Sequence, residues 1–183
     1  MICDERKWEV GSVDCGHIFL IGFMGAGKST VAMTLKKNYG MEYVEMDRQI
    51  ENDAGMTVSE IFEKKGEKEF RRMETELIGT FSNRKNLVVS CGGGVPMNPE
   101  NVKLMKSMGT VVYLSASPET IFERVRHKHH RPLLEGNMNV EYIRKLLTER
   151  LPAYESAADI TVHTDDKSIS EIAAEVRETC LLS

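Results

Sequence analysis

The stretch that decides the fold is Gly22-Phe-Met-Gly-Ala-Gly-Lys-Ser29. It matches G-x-x-x-x-G-K-[ST] at every fixed position, between an apolar run (residues 17–21) and a segment of helical character (residues 27–39). Glycines in such a loop let backbone N–H groups converge on phosphate oxygens, and the following helix adds its positive dipole. The Lys28 ammonium suits β- and γ-phosphates, and the Ser29 hydroxyl suits Mg²⁺. The motif therefore predicts a nucleotide-binding loop, although it does not indicate the acceptor.

Short apolar runs alternate with helical segments along the rest of the chain. Predicted strands cover residues 17–21, 42–45, 87–90, 110–114 and 160–163. Predicted helices cover residues 27–39, 47–55, 58–81 with a break at Gly66, 98–107, 118–127, 140–154, and a last one after the capping box of Ser168 and Glu171. Pro152 is expected to kink or end its helix. This alternation predicts an α/β fold with a parallel sheet covered on both faces.

Composition narrows the class of protein. The 183 residues fit one domain, which we place at residues 17–183 after an N-terminal extension, residues 1–16. The net charge of -4 argues against a broad basic surface for nucleic acid. No apolar run approaches the roughly 20 residues of a spanning helix, and the start of the chain lacks a secretory pattern. Four cysteines without a CxxC pair favour a reducing compartment, so we expect a cytoplasmic protein with no membrane or nucleic-acid partner.

Two carboxylates follow the second predicted strand. Asp47 lies just beyond it, where ligands bind in open α/β sheets. The alternative is that Asp47 only caps the next helix. Glu45 is expected to face the same cleft, because residues two apart on a strand share a face.

An arginine and a glycine run are further candidates. Arg71 has Glu67 four residues before it and Glu74 three after, which fits either a solvated helix face or a fork-shaped donor to an anionic substrate. Gly92–Gly94 follow a predicted strand. Three glycines indicate a tight turn, or a close approach of a ligand to the backbone.

Two more basic features stand near the end of the chain. Residues 128–138 contain Arg131, and the segment is strongly basic when it is taken with Arg124, Arg126, Lys128 and three histidines. It is either a solvated loop or a lid that closes over phosphates. His127, His129 and His130 fit such a basic loop better than a metal site. Arg150 falls within the apolar stripe of its helix, so it requires an anionic partner, either a structural carboxylate or a bound ligand.

In combination and order these segments resemble shikimate kinase, a family of small P-loop kinases. The likeness covers about residues 17–178 and rests on six segments: GFMGAGKST (22–30), MDRQIE (46–51), FRRME (70–74), CGGG (91–94), RPLL (131–134) and ERLPAYESAAD (149–159). Each segment except the first is weak evidence for the family when taken alone, but all six together in this order are specific to it.

The resemblance implies transfer of a phosphoryl group from ATP to the 3-hydroxyl of shikimate, in the chorismate and aromatic amino acid pathway. On this basis Asp47 contacts the acceptor hydroxyls and takes the transferred proton. Arg71 and Arg150 clamp the shikimate carboxylate, and Gly92–Gly94 line the same pocket. The implied substrate-binding residues are Asp47, Arg71, Gly92, Gly93, Gly94 and Arg150.

The resemblance also assigns the nucleotide side. Arg131 joins Lys28 in neutralising the transferring group, Arg124 stacks on adenine, and residues 164–167 border the base. The implied ATP-binding residues are Gly25, Ala26, Gly27, Lys28, Ser29, Thr30, Arg124 and Arg131. Mg²⁺ is held by Ser29 and, through water, by Glu45. The implied fold is a three-layer P-loop NTPase fold with five parallel strands, a substrate-binding region at about residues 47–75 and a mobile lid at about 126–138, acting as a monomer.

One departure from the family stands at the carboxylates. Where the family usually has Asp-x-Asp, this chain has Glu45-Met46-Asp47, so the first carboxylate side chain is longer by one methylene.

Two other functions compete with shikimate kinase activity. A related small-metabolite kinase such as a gluconate kinase shares the loop and lid but not the set of Arg71, Gly92–Gly94 and Arg150, and a non-enzymatic nucleotide-binding module would not need that set.

Overall fold

A computed structural model describes residues 16–126 and 139–182. The strands are β1 (His17–Ile21), β2 (Glu42–Glu45), β3 (Leu87–Ser90), β4 (Gly109–Ser115) and β5 (Ile160–His163). They form one sheet in the order β2-β3-β1-β4-β5, and every pair in it is parallel. The predicted five-stranded parallel sheet is confirmed.

Helices connect successive strands, as a parallel sheet requires. They are α1 (Lys28–Tyr39), α2 (Met46–Ala54), α3 (Val58–Lys65), α4 (Glu67–Thr80), α5 (Pro99–Met108), α6 (Pro118–Val125), α7 (Val140–Ala157) and α8 (Ile169–Leu182). Short 3₁₀ turns follow at Phe81–Asn83 and Val95–Met97. None of these helices combines the length and apolar character needed to cross a membrane.

The largest departure from the predicted helices is at the end of α7. The helix expected to end near Tyr154 continues through Pro152 to Ala157. Proline removes one N–H, but Tyr154 and Ala157 beyond it are fully buried, and their packing outweighs that loss. The helix expected to open at Asp47 begins one residue earlier, at Met46.

The hydrophobic core holds the central strand and the helix that carries Arg71 in place. All five residues of β1 are buried at the centre of the sheet. The His17 ring bonds backbone groups on both sides, with Nε2 3.0 Å from the Phe81 carbonyl oxygen and Nδ1 3.3 Å from the Leu87 nitrogen. A second, smaller cluster of Ile50, Ile61 and Phe70 packs α2, α3 and α4 together. This cluster sets α4, and therefore Arg71, in place beside the sheet.

The predicted N-terminal extension (residues 1–16) and lid (about 126–138) lie outside the described residues, except for Gly16 and Arg126. The same holds for Arg131 and for the three histidines at positions 127, 129 and 130.

Candidate active site

The loop between β1 and α1 has the backbone that anion binding needs. Gly22 has φ +138°, and a Cβ on it would lie 2.6 Å from the Leu114 carbonyl oxygen, so only glycine fits. Gly27 caps α1 without a side-chain hydrogen bond, and the first turn of α1 contains no acidic residue. The first turn of a helix presents N–H groups that have no partner within the helix, and this is the arrangement that binds a phosphate.

Lys28 lies over this loop. Its ammonium donates hydrogen bonds to the carbonyl oxygens of Gly22 at 2.8 Å and Phe23 at 3.0 Å. The charge of Lys28 also lowers the pKa of Asp47, which places the ammonium and this carboxylate in one site. The phosphate-loop lysine therefore lies close enough to Asp47 to affect its ionisation.

Asp47 and Glu45 meet for a reason different from the one expected. Glu45 ends β2 and precedes α2, whereas Asp47 lies in the first turn of that helix, so the two do not share a strand face. Asp47 is not the cap residue of α2 either, which disfavours the purely structural alternative. Burial raises the pKa of Asp47, the Glu45 charge raises it further, and Lys28 opposes both. A carboxylate with a raised pKa is a better proton acceptor than an ordinary one.

Each glycine of the Gly92–Gly94 run lies against a different predicted substrate-binding side chain. A Cβ on Gly92 would lie 2.8 Å from Asp47 Oδ1, one on Gly93 would lie 3.7 Å from Arg150 Nη1, and one on Gly94 would lie 2.7 Å from Arg71 Cζ. The run forms a tight turn, closed by a hydrogen bond from Val95 N to the Gly92 carbonyl oxygen at 3.1 Å, and it also serves close approach. None of the three has a positive φ, so the tight Cβ contacts at Gly92 and Gly94 are what require glycine. Asp47, Arg71 and Arg150 surround one stretch of backbone.

Arg71 has features of both predicted roles, a solvated helix-surface residue and a donor to an anionic substrate. It forms ion pairs with Glu67 and Glu74, each at 2.9 Å, and its side chain is 33% exposed. These are the contacts of a helix-surface arginine, yet the guanidinium also lies against Gly94. The pairs hold the fork of Arg71 in place at the pocket.

Glu74 is a further functional candidate, which the sequence suggests only as a partner of Arg71. It is 1% exposed, and its Oε1 is buried without a hydrogen-bond partner among the described residues. A Cβ on Gly92 would lie 3.0 Å from this oxygen. Burial raises the pKa of Glu74, and the Arg71 ion pair opposes that change. Its place on the inward stripe of α4, four residues after Phe70 and four before Ile78, is the signal that could have revealed it.

Arg150 is half-buried, as its position on the apolar stripe of α7 predicted. Its guanidinium lies 5.7 Å from the centre of the Phe23 ring and bonds the Tyr154 hydroxyl. Burial raises the pKa of Tyr154 to about 12, so that hydroxyl is neutral at pH 7. It donates a hydrogen bond to the Gly93 carbonyl oxygen at 2.8 Å. Neither described neighbour of Arg150 supplies the anion it requires, which favours a ligand over a structural carboxylate.

Arg124 connects the two elements expected around the nucleotide base. Its Nη1 donates to the Ala26 carbonyl oxygen at 3.3 Å and to Thr164 Oγ1 at 3.0 Å, and its Nη2 donates to the Thr164 carbonyl oxygen at 2.8 Å. Asp165 accepts hydrogen bonds from Ser117 Oγ and N, each at 3.0 Å, and so fixes the same turn to the start of α6. The guanidinium plane is held between the phosphate loop and residues 164–167.

Ser29 and Glu45 are linked through Ser90. The Ser29 and Ser90 hydroxyl oxygens lie 3.3 Å apart, and Ser90 Oγ donates to Glu45 Oε1 at 3.1 Å. Within residues 16–126 and 139–182 no group of three or more His, Cys, Asp or Glu could hold a metal by itself. A hydroxyl with one carboxylate fits Mg²⁺, which usually takes one or two protein ligands and completes its shell with water and substrate phosphates.

Comparison with known proteins identifies the family. A sequence model of shikimate kinase matches residues 24–181. The chain belongs to the shikimate kinase family. It is 42% identical to the shikimate kinase of Persephonella marina over 160 residues, which cover 87% of this chain and 96% of that protein.

Solved structures of shikimate kinases agree with this assignment. The structure of the shikimate kinase from Acinetobacter baumannii in complex with shikimate superposes with a TM-score of 0.84 and 35% identity, over 91% of this chain and 93% of that one. A gluconokinase from Sinorhizobium meliloti has a TM-score of 0.57 at 19% identity over 91% of each chain, a likeness of fold alone. The predicted family, fold class and kinase activity are confirmed.

Proposed function

We propose that this shikimate kinase family member transfers the γ-phosphoryl group of ATP to the 3-hydroxyl of shikimate through the residues assembled at Gly92–Gly94. The observation that carries the proposal is the contact of the three glycines with Asp47, Arg150 and Arg71 in turn. One carboxylate and two guanidinium groups around exposed backbone match an acceptor that carries hydroxyls at one end and a carboxylate at the other.

On the acceptor side, Arg71 and Arg150 bind the shikimate carboxylate. Arg150 is held against the Phe23 ring without an anion among its described contacts, so the substrate carboxylate completes its environment. Asp47 accepts the proton of the attacking hydroxyl, since burial raises its pKa toward the range useful for a general base. A fixed distance between clamp and base selects the hydroxyl that reacts.

On the nucleotide side, the N–H groups of residues 25–30 hold the ATP phosphates, and Lys28 neutralises the charge that develops on the transferring group. Arg124, already fixed by Thr164 and Ala26, stacks on adenine. Arg131, outside the described residues, is proposed to add a second positive charge. Ser29 and Glu45 are the residues that would hold Mg²⁺, which would supply positive charge to neutralise the ATP phosphates.

We propose further that residues 17–183 act as a single catalytic unit and as a monomer. The support is that the loop of α1, Asp47, Arg71 and Arg150 all belong to one chain and already meet around Gly92–Gly94.

A coupled assay of ADP release tests the function. Purified protein with ATP and Mg²⁺ is given shikimate, gluconate or no acceptor. We expect turnover with shikimate only. Equal rates with gluconate would favour the related metabolite kinase. Nucleotide-dependent stabilisation without turnover on any acceptor would favour a non-enzymatic nucleotide-binding module.

A further inference from the structure

A chain of hydrogen bonds runs from the phosphate loop to a tyrosine on the edge strand. The Tyr43 hydroxyl donates to Glu45 Oε2 at 2.6 Å, and Ser90 Oγ donates to Glu45 Oε1 at 3.1 Å. Ser90 Oγ in turn lies 3.3 Å from Ser29 Oγ. Both oxygens of one carboxylate are therefore held, each by a different strand.

The register of the sheet produces this arrangement. β2 pairs with β3 so that Glu45 stands opposite Ser90. Tyr43 lies two residues before Glu45 on the same strand and therefore on the same face. A tyrosine hydroxyl is protonated at neutral pH and so donates a hydrogen bond to the ionised carboxylate. The contact is thus a charge-assisted hydrogen bond, and the distance of 2.6 Å is typical of one.

The hydrogen bond from Tyr43 restricts a side chain that is longer, and therefore more flexible, than an aspartate at position 45. Glutamate has one more rotatable bond than the aspartate usual in the family, so an unsupported carboxylate would occupy several positions, and ordering it would oppose cation binding. Tyr43 and Ser90 hold it in one position before a cation arrives. Partners of this kind, which bind a metal ligand and not the metal, typically change metal affinity by about 10–100-fold when removed.

We propose that Tyr43 is a positioning residue that holds Glu45 for the divalent cation of the reaction, so that Tyr43 compensates for the glutamate at position 45. The inference rests on the proposed role of Glu45 at the Mg²⁺ site. It assigns the specific pairing of tyrosine with glutamate, and it implies that an aspartate at position 45, too short to reach the tyrosine hydroxyl in the same way, would not depend on it.

The experiment measures Mg²⁺ dependence by binding, separately from turnover. The affinity for a non-hydrolysable ATP analogue is determined by calorimetry over a series of MgCl₂ concentrations, and the Mg²⁺ concentration of half-maximal effect is compared among variants. Tyr43→Phe is expected to raise this concentration about tenfold and to leave shikimate binding unchanged. Tyr142→Phe, at a half-buried tyrosine on α7, is the matched control and is expected to behave as wild type.

A double-mutant cycle with Glu45→Asp separates positioning from general damage. Tyr43→Phe is expected to have less than a twofold effect in the Glu45→Asp background, because the two residues act as a pair. An unchanged Mg²⁺ midpoint in Tyr43→Phe, or an equal effect in both backgrounds, would overturn the inference. Ser90→Ala tests the second hydrogen bond to Glu45 and is likewise expected to raise the midpoint, which keeps the inference testable if Tyr43→Phe fails to fold.

Glu45→Gln distinguishes failure of this inference from failure of the proposed metal role. A shifted midpoint in Glu45→Gln with a wild-type midpoint in Tyr43→Phe would overturn only the positioning role. A wild-type midpoint in both variants would remove Glu45 from the Mg²⁺ site and overturn both.

Discussion

Substitution of Gly92 by alanine tests the geometry around Asp47. The added Cβ would lie 2.8 Å from Asp47 Oδ1 and 3.0 Å from Glu74 Oε1, both on buried or largely buried carboxylates. Ordinary van der Waals contact to carbon begins at about 3.4 Å, so Asp47 must retreat by at least about half an ångström. A displacement approaching 1 Å at the reacting group costs about 100-fold in rate. Because the displacement of Asp47 is about half of that, we expect Gly92→Ala to lower kcat by about 10- to 30-fold.

The assay is steady-state ADP release with shikimate varied at saturating ATP, together with thermal unfolding. Gly93→Ala is the matched control in the same run, because its Cβ would meet its nearest neighbours, Arg150 Nη1 and Tyr154 Oη, at an ordinary 3.7 Å. It is expected to keep kcat within about threefold and to raise KM for shikimate. A Gly92→Ala protein that melts like wild type and keeps a kcat within threefold of it would refute the placement of Asp47 at the reacting hydroxyl.

Substitutions of three other side chains provide further tests. Asp47→Asn should lower kcat by about 10²–10⁴-fold, the usual contribution of a general base, in the same assay. Because burial raises the pKa of Asp47 in the folded state, ionisation costs stability as pH rises through that pKa; Asp47→Asn should therefore melt above wild type at pH 7, with the gap closing toward pH 4, and a constant gap would contradict this. Tyr154→Phe removes the donor to Gly93 and the partner of Arg150, so KM for shikimate should rise about tenfold with KM for ATP unchanged; equal increases in both would indicate general damage. His17→Phe removes the acceptor of the buried Leu87 N–H and one of two hydrogen bonds to the Phe81 carbonyl oxygen, which still accepts from Arg84 N, so Tm should fall by roughly 2–6 °C, and a Tm within 1 °C of wild type would argue against that role.

Much of the fold could be predicted because local and long-range signals agree. β1 and β3 are short apolar runs that end in glycines, and a parallel sheet buries such runs on both faces. The phosphate loop was recognisable because its glycines, lysine and serine stand at fixed spacings within one short segment. Arg150 was recognisable because a charge within an apolar stripe must have a partner.

The same reasoning applies to Glu74, yet nearby charges concealed it. Arg71 at three residues' distance offers an ordinary helix-surface ion pair, and sequence alone does not show which of its two glutamates is buried. The structure separates them, since the side chain of Glu67 is 64% exposed and that of Glu74 is 1% exposed.

Contacts between residues on different strands could not be predicted from the sequence. The Glu45 carboxylate is held by Ser90, forty-five positions away, through the register of β2 on β3. Asp47 reaches the site from the first turn of α2, not from the strand, because the change of backbone at Met46 redirects it. Such features depend on pairing and turn geometry, which periodicity does not encode.

The central claim is that the phosphoryl group goes to one particular hydroxyl of shikimate, the one within reach of Asp47 when Arg71 and Arg150 hold the carboxylate. The most direct measurement is ³¹P–¹H correlated NMR of the product formed by the enzyme with ATP, Mg²⁺ and shikimate. We expect a single phosphomonoester whose phosphorus couples to the proton on C3. A product phosphorylated at another hydroxyl, a mixture, or inorganic phosphate alone would contradict it.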